Sequence, residues 1–413
     1  MSSGKYSTNC HMCRSSRLEP VLDLGYHPPS DSFLTNAHLQ MPEVHYPLRL
    51  VSCARCGLLQ IDYLVDPRVL YQQDYPYEST MTQTGHAHYH KMASEVCNDL
   101  RIPRNSLAID IGSNDGLLLS GFRNIGMRVL GVDPARPVAK KAIARGIETI
   151  IDFFSKEVAS RILETHGQAS VITGTNVFAH LHELASAVEG MKMLLGLGGA
   201  IVIEAPYAAD LVSNLEYDTI YHEHIGYLSV RPMMNYFKKF GLELFDVRKQ
   251  SIHGGSLRYF VSQAGSREIS PQVERMIEDE ERIGLYSPKR LKDFAGQVRD
   301  HKKNLIDLLL NLKKQGKKIV GISAPAKGNT LLNYCHIDRA FLDFITEKSS
   351  LKIGRFTPGT HVPIYPDEML TSGKADYGLI LAWNFAEEIM RNLSKFREMG
   401  GKFIIPIPHP RIV

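Results

Sequence analysis

Four adjacent residues, Tyr221, His222, Glu223 and His224 in the stretch TIYHEHIGYLS (residues 219–229), can each accept, donate or share a proton. A phenol, two imidazoles and a carboxyl group side by side suit general acid–base work, because imidazole titrates near neutral pH and its neighbours can hold or return the proton. Backbone geometry decides whether they act together. In a strand, alternate side chains face opposite ways, giving two pairs, Tyr221 with Glu223 and His222 with His224; a turn lets all four converge. The competing reading is an exposed polar turn with one satisfied histidine.

A second chemistry lies near the N-terminus. Of six cysteines, four form the pairs CHMC (Cys10, Cys13) and CARC (Cys53, Cys56), while Cys97 and Cys335 stand alone. Each C-x-x-C turns two sulfurs toward one centre, so two units predict a tetrahedral four-thiolate zinc site; a redox pair or a coincidence is the alternative. Four thiolates leave no position for substrate or water, which makes the zinc structural. Because 39 residues separate Cys13 from Cys53, the intervening chain must build structure of its own. His11, between two ligands, is expected to face solvent.

A third stretch, LAIDIGSNDGLLLS, reads as strand, glycine loop and helix start. It lacks the full G-x-G-x-x-G of dinucleotide-binding loops and carries an acid, Asp110, just before Gly112. A carboxylate there repels pyrophosphate and attracts an ammonium or sulfonium group. Asp133 ends the next strand, 21 positions past Gly112, where a ribose-binding acid belongs. Asp110, Gly112, Asn114, Gly116 and Asp133 therefore predict a pocket for S-adenosylmethionine rather than NAD. Asp152, Phe153 and Phe154 of IDFF edge the adenine, and Asn176 completes the set.

These sites need elements to carry them. Residues 106–265 alternate short β-rich runs with amphipathic stretches, predicting a doubly wound parallel α/β sheet. Residues 270–314 predict two amphipathic helices broken at Pro288, and residues 317–413 a second, smaller α/β domain. The expected layout is a zinc-binding domain at 1–66, a donor-binding domain at 67–268, a helical connector at 269–316 and a smaller α/β domain at 317–413. Three tyrosines around Pro76 in LYQQDYPYEST suit a pocket-lining loop or an apolar linker.

Composition narrows the class. At 413 residues, 44% apolar and 22% charged, the chain is a multidomain globular protein, and a net charge of +4 without a basic stripe argues against a nucleic-acid partner. The first residues contain no apolar signal core and no segment is long enough to span a bilayer, so a cytoplasmic monomer without a membrane partner is expected.

Taken in order, the two C-x-x-C units, DIGSNDGLLL, GVDPA, NVFAHL, YHEHIGYLS, HGGSLR and APAKGNTLLNYC resemble the S-adenosylmethionine-dependent nucleotide-sugar C-methyltransferases of deoxysugar pathways. The resemblance covers nearly the whole chain. It implies a zinc domain, a central donor-binding domain and a C-terminal Rossmann-like domain that helps hold the nucleotide sugar. It also implies an active site of Tyr75, His180, Tyr221, Glu223 and His224, with Tyr77 as an alternative to Tyr75 and a substrate neighbour.

Carbon becomes a nucleophile beside a ketone once a base has removed the adjacent proton. His224 is the expected base, Glu223 tunes or positions it, and Tyr221 and His180 donate to the developing enolate oxygen. His222 is expected to be structural. His253, Gly255 and Arg258 of HGGSLR, with Lys327, Asn329 and Thr330 of the APAKGNT loop, are expected at the diphosphate or sugar, and Lys352, Arg355 and Trp383 at the nucleotide; tight turns, a surface charge pair and a core aromatic are the alternatives. The dTDP-linked 4-keto-deoxysugar, methylated at C3, is the expected substrate. Competing functions are a small-molecule O- or N-methyltransferase and a zinc-module interaction protein with a vestigial catalytic domain.

Overall fold

The computed structural model describes residues 4–71, 83–373 and 375–413, and Tyr75 and Tyr77 lie outside them. Seven strands form the central sheet. Numbered along the chain, they are Leu107–Ile111, Arg128–Val132, Thr149–Ile150, Ala169–Thr175, Leu195–Pro206, Leu242–Gln250 and Ser256–Gln263. Their order across the sheet is 3-2-1-4-5-7-6. The first five are mutually parallel, as their continuous apolar runs require when both faces are covered. The last two depart from the expected all-parallel sheet: Ser256–Gln263 runs antiparallel to both neighbours. Only five residues join it to Leu242–Gln250, too few for the crossover that parallel strands need.

The C-terminal sheet contains Ile319–Ile322, Ile345–Glu347, Ile364–Pro366, Tyr377–Ile380, Lys402–Ile405 and Arg411–Ile412, in the order 3-2-1-4-5-6. That is the dinucleotide-fold order, with the final strand antiparallel. Between the sheets stand the helices Pro271–Arg282 and Pro288–Lys314, each with proline in its first turn, where the missing N–H costs nothing.

The zinc module is not free-standing. Its sheet, Leu18–His27, Tyr46–Cys53 and Leu59–Ile61, takes a fourth strand, Gly226–Tyr227, from the central domain. Gly226 pairs with Gln60 and Tyr227 with Leu59, directly after the proton-active tetrad. One apolar core runs from Leu22 and Ile61 through the central sheet to Ile404 and Ile407. His11, expected at the surface, is instead buried: its Nε2 lies 2.7 Å from the Leu181 carbonyl and its backbone N–H donates to Gln60. The CHMC knuckle packs onto the central domain, which buries both His11 and Met12 between its two ligands.

Candidate active site

The tetrad folds as a turn after the single 3-10 turn Tyr217–Thr219, and the strand alternative fails. Tyr221, Glu223 and His224 line a cavity of about 580 Å3, whereas His222 points away. The His222 ring rests against Tyr46, with Nε2 3.2 Å from the Pro47 carbonyl of the zinc module. The cavity also takes Asp31, Pro67 and Tyr71 from the N-terminal region, the loop ends of the central sheet, and Ile322 to Leu393 of the C-terminal domain. It is therefore walled by all three parts of the chain.

His224 has a defined tautomer. Its Nδ1 lies 2.8 Å from the Thr219 carbonyl, which can only accept, so Nδ1 carries the proton. Nε2 is then an acceptor, and the Tyr221 hydroxyl donates to it at 2.8 Å. His180 stacks on Tyr71 at 6.1 Å and lies tilted against the His224 ring at 4.9 Å. Burial holds His180 well below the ordinary histidine range, so it is neutral. Its Nε2 is buried without a partner among the described residues. Glu223 does not touch His224 as expected: neither of its oxygens has a partner among the described residues, because adjacent turn residues diverge. Burial, then the nearby Asp31 carboxyl, pushes Glu223 up to about 8.

The residues expected at the methyl donor, Asp110, Gly112, Asn114 and Asp133, line the same cavity. Both Asp133 oxygens accept backbone N–H groups, from Asn114 and from Ala135, at 2.8 Å each. Asp110 accepts the Thr173 hydroxyl at 2.6 Å. Burial raises Asp133 to about 6 and Asp110 to about 7. Gly112, at φ +69°, has room for no side chain: a Cβ would stand 2.7 Å from Val177. Phe153 and Phe154 supply an apolar edge, and the buried Asn176 Oδ1, unpartnered among the described residues, faces the same space. Acids at two strand ends, an orphaned amide oxygen and two phenyl rings fit S-adenosylmethionine, whose sulfonium makes its methyl group electrophilic. Two expected contributors stand aside. Asp152 turns outward to Arg161 at 2.8 Å, and Gly116 serves the turn into the helix Leu117–Asn124.

The four cysteine sulfurs lie within 4.8 Å of one another, with Cys10–Cys56 at 3.5 Å and Cys13–Cys53 at 3.4 Å. A zinc–sulfur bond of about 2.3 Å gives a tetrahedron edge of roughly 3.8 Å, so the set fits zinc.

Lys327 and Lys352 line the cavity, but most of their expected companions do not. Arg258 is 1% exposed and sits opposite Glu204 in the strand register, bonded to it at 2.8 Å and to Glu95 at 2.9 Å. It is a structural cation, held within the sheet by that pairing. Gly255 is a glycine for steric reasons, since a Cβ would meet Asp210 at 2.2 Å. Asn329 and Thr330 clamp Ser30 of the zinc module, at 2.6 and 3.4 Å. Trp383 donates to Asp218 at 2.7 Å and backs the Lys327 ammonium at 4.2 Å, while Arg355 lies outside the wall. The His253 side chain is outside the described residues. Sequence reasoning missed Asp31, which sits in an ordinary-looking turn, PPSDSF. It also missed Glu347, whose place at a strand end was a readable signal.

Comparison with known proteins agrees with this geometry. Residues 10–71 match a zinc-binding domain family, 86–247 a methyltransferase domain and 251–408 the C-methyltransferase C-terminal domain. The C-methyltransferase NovU of Streptomyces niveus is 33% identical over 98% of this chain and 96% of its own. The chain belongs to the C-methyltransferase family. This C-methyltransferase is thus an S-adenosylmethionine-dependent enzyme with a structural zinc site. Among solved structures, an S-adenosylmethionine-dependent methyltransferase from Clostridium acetobutylicum aligns with 44% of the chain and 92% of its own at 12% identity and TM-score 0.35. Magnesium protoporphyrin IX methyltransferase from Synechocystis aligns with 46% and 90% at 11% identity and TM-score 0.36. Among the described residues no helix is long and apolar enough to cross a membrane.

Proposed function

We propose that this C-methyltransferase acts on a nucleotide-linked 4-keto-deoxysugar, a dTDP sugar by resemblance, and methylates C3 after enolisation. The observation that carries the reading is the Tyr221–His224 pair, set in the same cavity as Asp110 and Asp133. O- or N-methylation needs no carbon-acid base, whereas His224 lines the cavity with Nε2 free of a proton. With Nδ1–H tied to the Thr219 carbonyl, Nε2 is the basic nitrogen, and the carbonyl stabilises the imidazolium once it forms. Tyr221 turns its hydroxyl from Nε2 onto the keto oxygen as Nε2 takes the α-proton. His180, neutral, offers a ring N–H to that same oxygen as it gains charge. Lys327, Lys352 and the strand ends of the C-terminal sheet face the nucleotide end.

Purified enzyme, methyl donor and a panel of nucleotide 4-keto-6-deoxysugars should give a product one CH2 heavier, with loss of deuterium from labelled C3. His224→Ala should slow solvent exchange of the α-proton by roughly a hundredfold or more, the range of a lost general base. Exchange at the wild-type rate would remove His224 from the role.

A further inference from the structure

The central and C-terminal sheets end in loops built on one hydrogen-bond plan. In the central sheet, Gly112 follows the strand Leu107–Ile111 at φ +69° and donates its N–H to the Val132 carbonyl at 2.8 Å. The residue after Val132 is Asp133, which accepts N–H groups from Asn114 and, two positions ahead, Ala135. In the C-terminal sheet, Ser323 follows the strand Ile319–Ile322 at φ +65° and donates to the Thr346 carbonyl at 2.8 Å. The residue after Thr346 is Glu347. It accepts N–H groups from Ala324 at 2.8 Å, from Lys348 at 2.7 Å and, again two positions ahead, from Ser349 at 3.1 Å. In both sheets the two strands concerned are adjacent and parallel.

A left-handed φ suits glycine but strains serine, so Ser323 is kept there by its surroundings. Ala324, next in the loop, is gripped from both sides: Glu347 takes its N–H, and the Lys352 ammonium donates to its carbonyl at 2.8 Å. Gly112, Asp133, Ser323 and Glu347 all line the same cavity.

The two acids differ in the acceptor sites left to them. A carboxylate has about four, two on each oxygen. Asp133 uses one on each oxygen and keeps one on each, which suits the two neighbouring hydroxyls of a ribose. Among the described residues, Glu347 uses both sites of Oε1, for Lys348 and Ser349, and one of Oε2, for Ala324. A single site on Oε2 remains.

We propose that Glu347 binds the pentose of the substrate's nucleotide through one hydroxyl, accepted at Oε2, so that this half of the cavity takes a 2′-deoxynucleoside diphosphate as readily as its ribose counterpart. In the deoxy form that hydroxyl is the 3′ one. The diphosphate, joined to the pentose, then lies toward Lys327 on the first turn of the helix Ala326–Cys335. This deepens the nucleotide-sugar reading and rests on it.

The test is calorimetric binding of the ribo, 2′-deoxy and 2′,3′-dideoxy forms of the thymine nucleoside diphosphate, with S-adenosylhomocysteine filling the donor site. The same series with guanine, uracil and cytosine covers the other bases. Wild-type protein should bind the ribo and deoxy forms within roughly threefold of each other. The dideoxy form should bind roughly tenfold or more weakly, the range of a lost hydrogen bond to a charged group. Glu347→Ala should bind the deoxy and dideoxy forms equally, with zinc content and S-adenosylmethionine affinity unchanged. A side chain that only held the Ala324 loop would weaken every form alike and keep the wild-type ratio. Equal wild-type binding of the deoxy and dideoxy forms, a ribo-to-deoxy difference above roughly tenfold, or a folded Glu347→Ala protein that keeps the ratio overturns the proposal and leaves the nucleotide-sugar reading standing. Where Glu347→Ala does not fold, the wild-type series decides alone. Failure of every nucleoside diphosphate to bind would overturn the nucleotide-sugar reading itself, and the role of Glu347 with it.

Discussion

Asp133 commits both carboxylate oxygens to backbone N–H groups before any ligand arrives, and this fixes where its remaining lone pairs point. A ribose hydroxyl bonds best to the ionised form. Because burial raises Asp133 to about 6, affinity for S-adenosylmethionine should weaken as pH falls through that value, measured by calorimetry across pH 5–8. Asp133→Asn should cost roughly tenfold to a hundredfold in affinity, the range of a lost charge-assisted bond, and flatten the profile. Linkage to folding runs the other way: the unfolded carboxyl ionises near 3.8, so the buried acid stabilises the fold below that pH and the contribution is lost as pH rises through 6. The place of Asp133, just past a strand end on the cavity wall, was legible because strand-end acids follow a spacing rule. Arg258 was misread for an equally physical reason: its partner Glu204 is 54 positions away in sequence, and only strand register brings them together.

The element that decides the active site's shape is the two-residue strand Gly226–Tyr227, which adds the tetrad to the zinc module's sheet. His222 reinforces it at the Pro47 carbonyl, and Ile61 N–H donates to the Ile225 carbonyl at 3.0 Å. The cysteine cluster therefore stands behind His224, the proposed base, without touching it. Removing zinc with a chelator, or by Cys53→Ser, should abolish methyl transfer while S-adenosylmethionine still binds the central sheet at near-normal affinity. Methyl transfer that survives verified zinc loss would refute this coupling. Fluorescence of Trp383, the only tryptophan, provides a conformational readout, since its indole donates to Asp218 just ahead of the tetrad. Strands, glycine loops and C-x-x-C pairs were readable from local pattern. That a zinc-module strand pairs with the segment after the tetrad was not, because two residues carry no periodicity and their partner lies more than 160 positions upstream.

At the scale of the whole molecule, the cavity exists because three parts of the chain share one core, and its far wall belongs to the C-terminal sheet. There Lys327, at the start of the helix Ala326–Cys335 with the indole of Trp383 behind it, is the cation we propose for the substrate's diphosphate. Burial lowers Lys327 to about 8, against the pull of Asp218 and Glu216. Glu216 is itself raised to about 8 by burial, so one alkaline step removes a positive charge and adds a negative one. Both changes repel phosphate. Binding of a nucleoside diphosphate alone should accordingly weaken as pH rises through 8, followed by calorimetry. Lys327→Met should lose roughly tenfold to a hundredfold in that affinity below pH 8. Glu216→Gln should keep the affinity but make the alkaline loss shallower, separating the two titrations. S-adenosylmethionine affinity, set by the central sheet, should not move in either variant. A nucleotide that binds equally well at pH 7 and pH 9, or is indifferent to Lys327→Met, would mean that the C-terminal wall recognises something other than a phosphate.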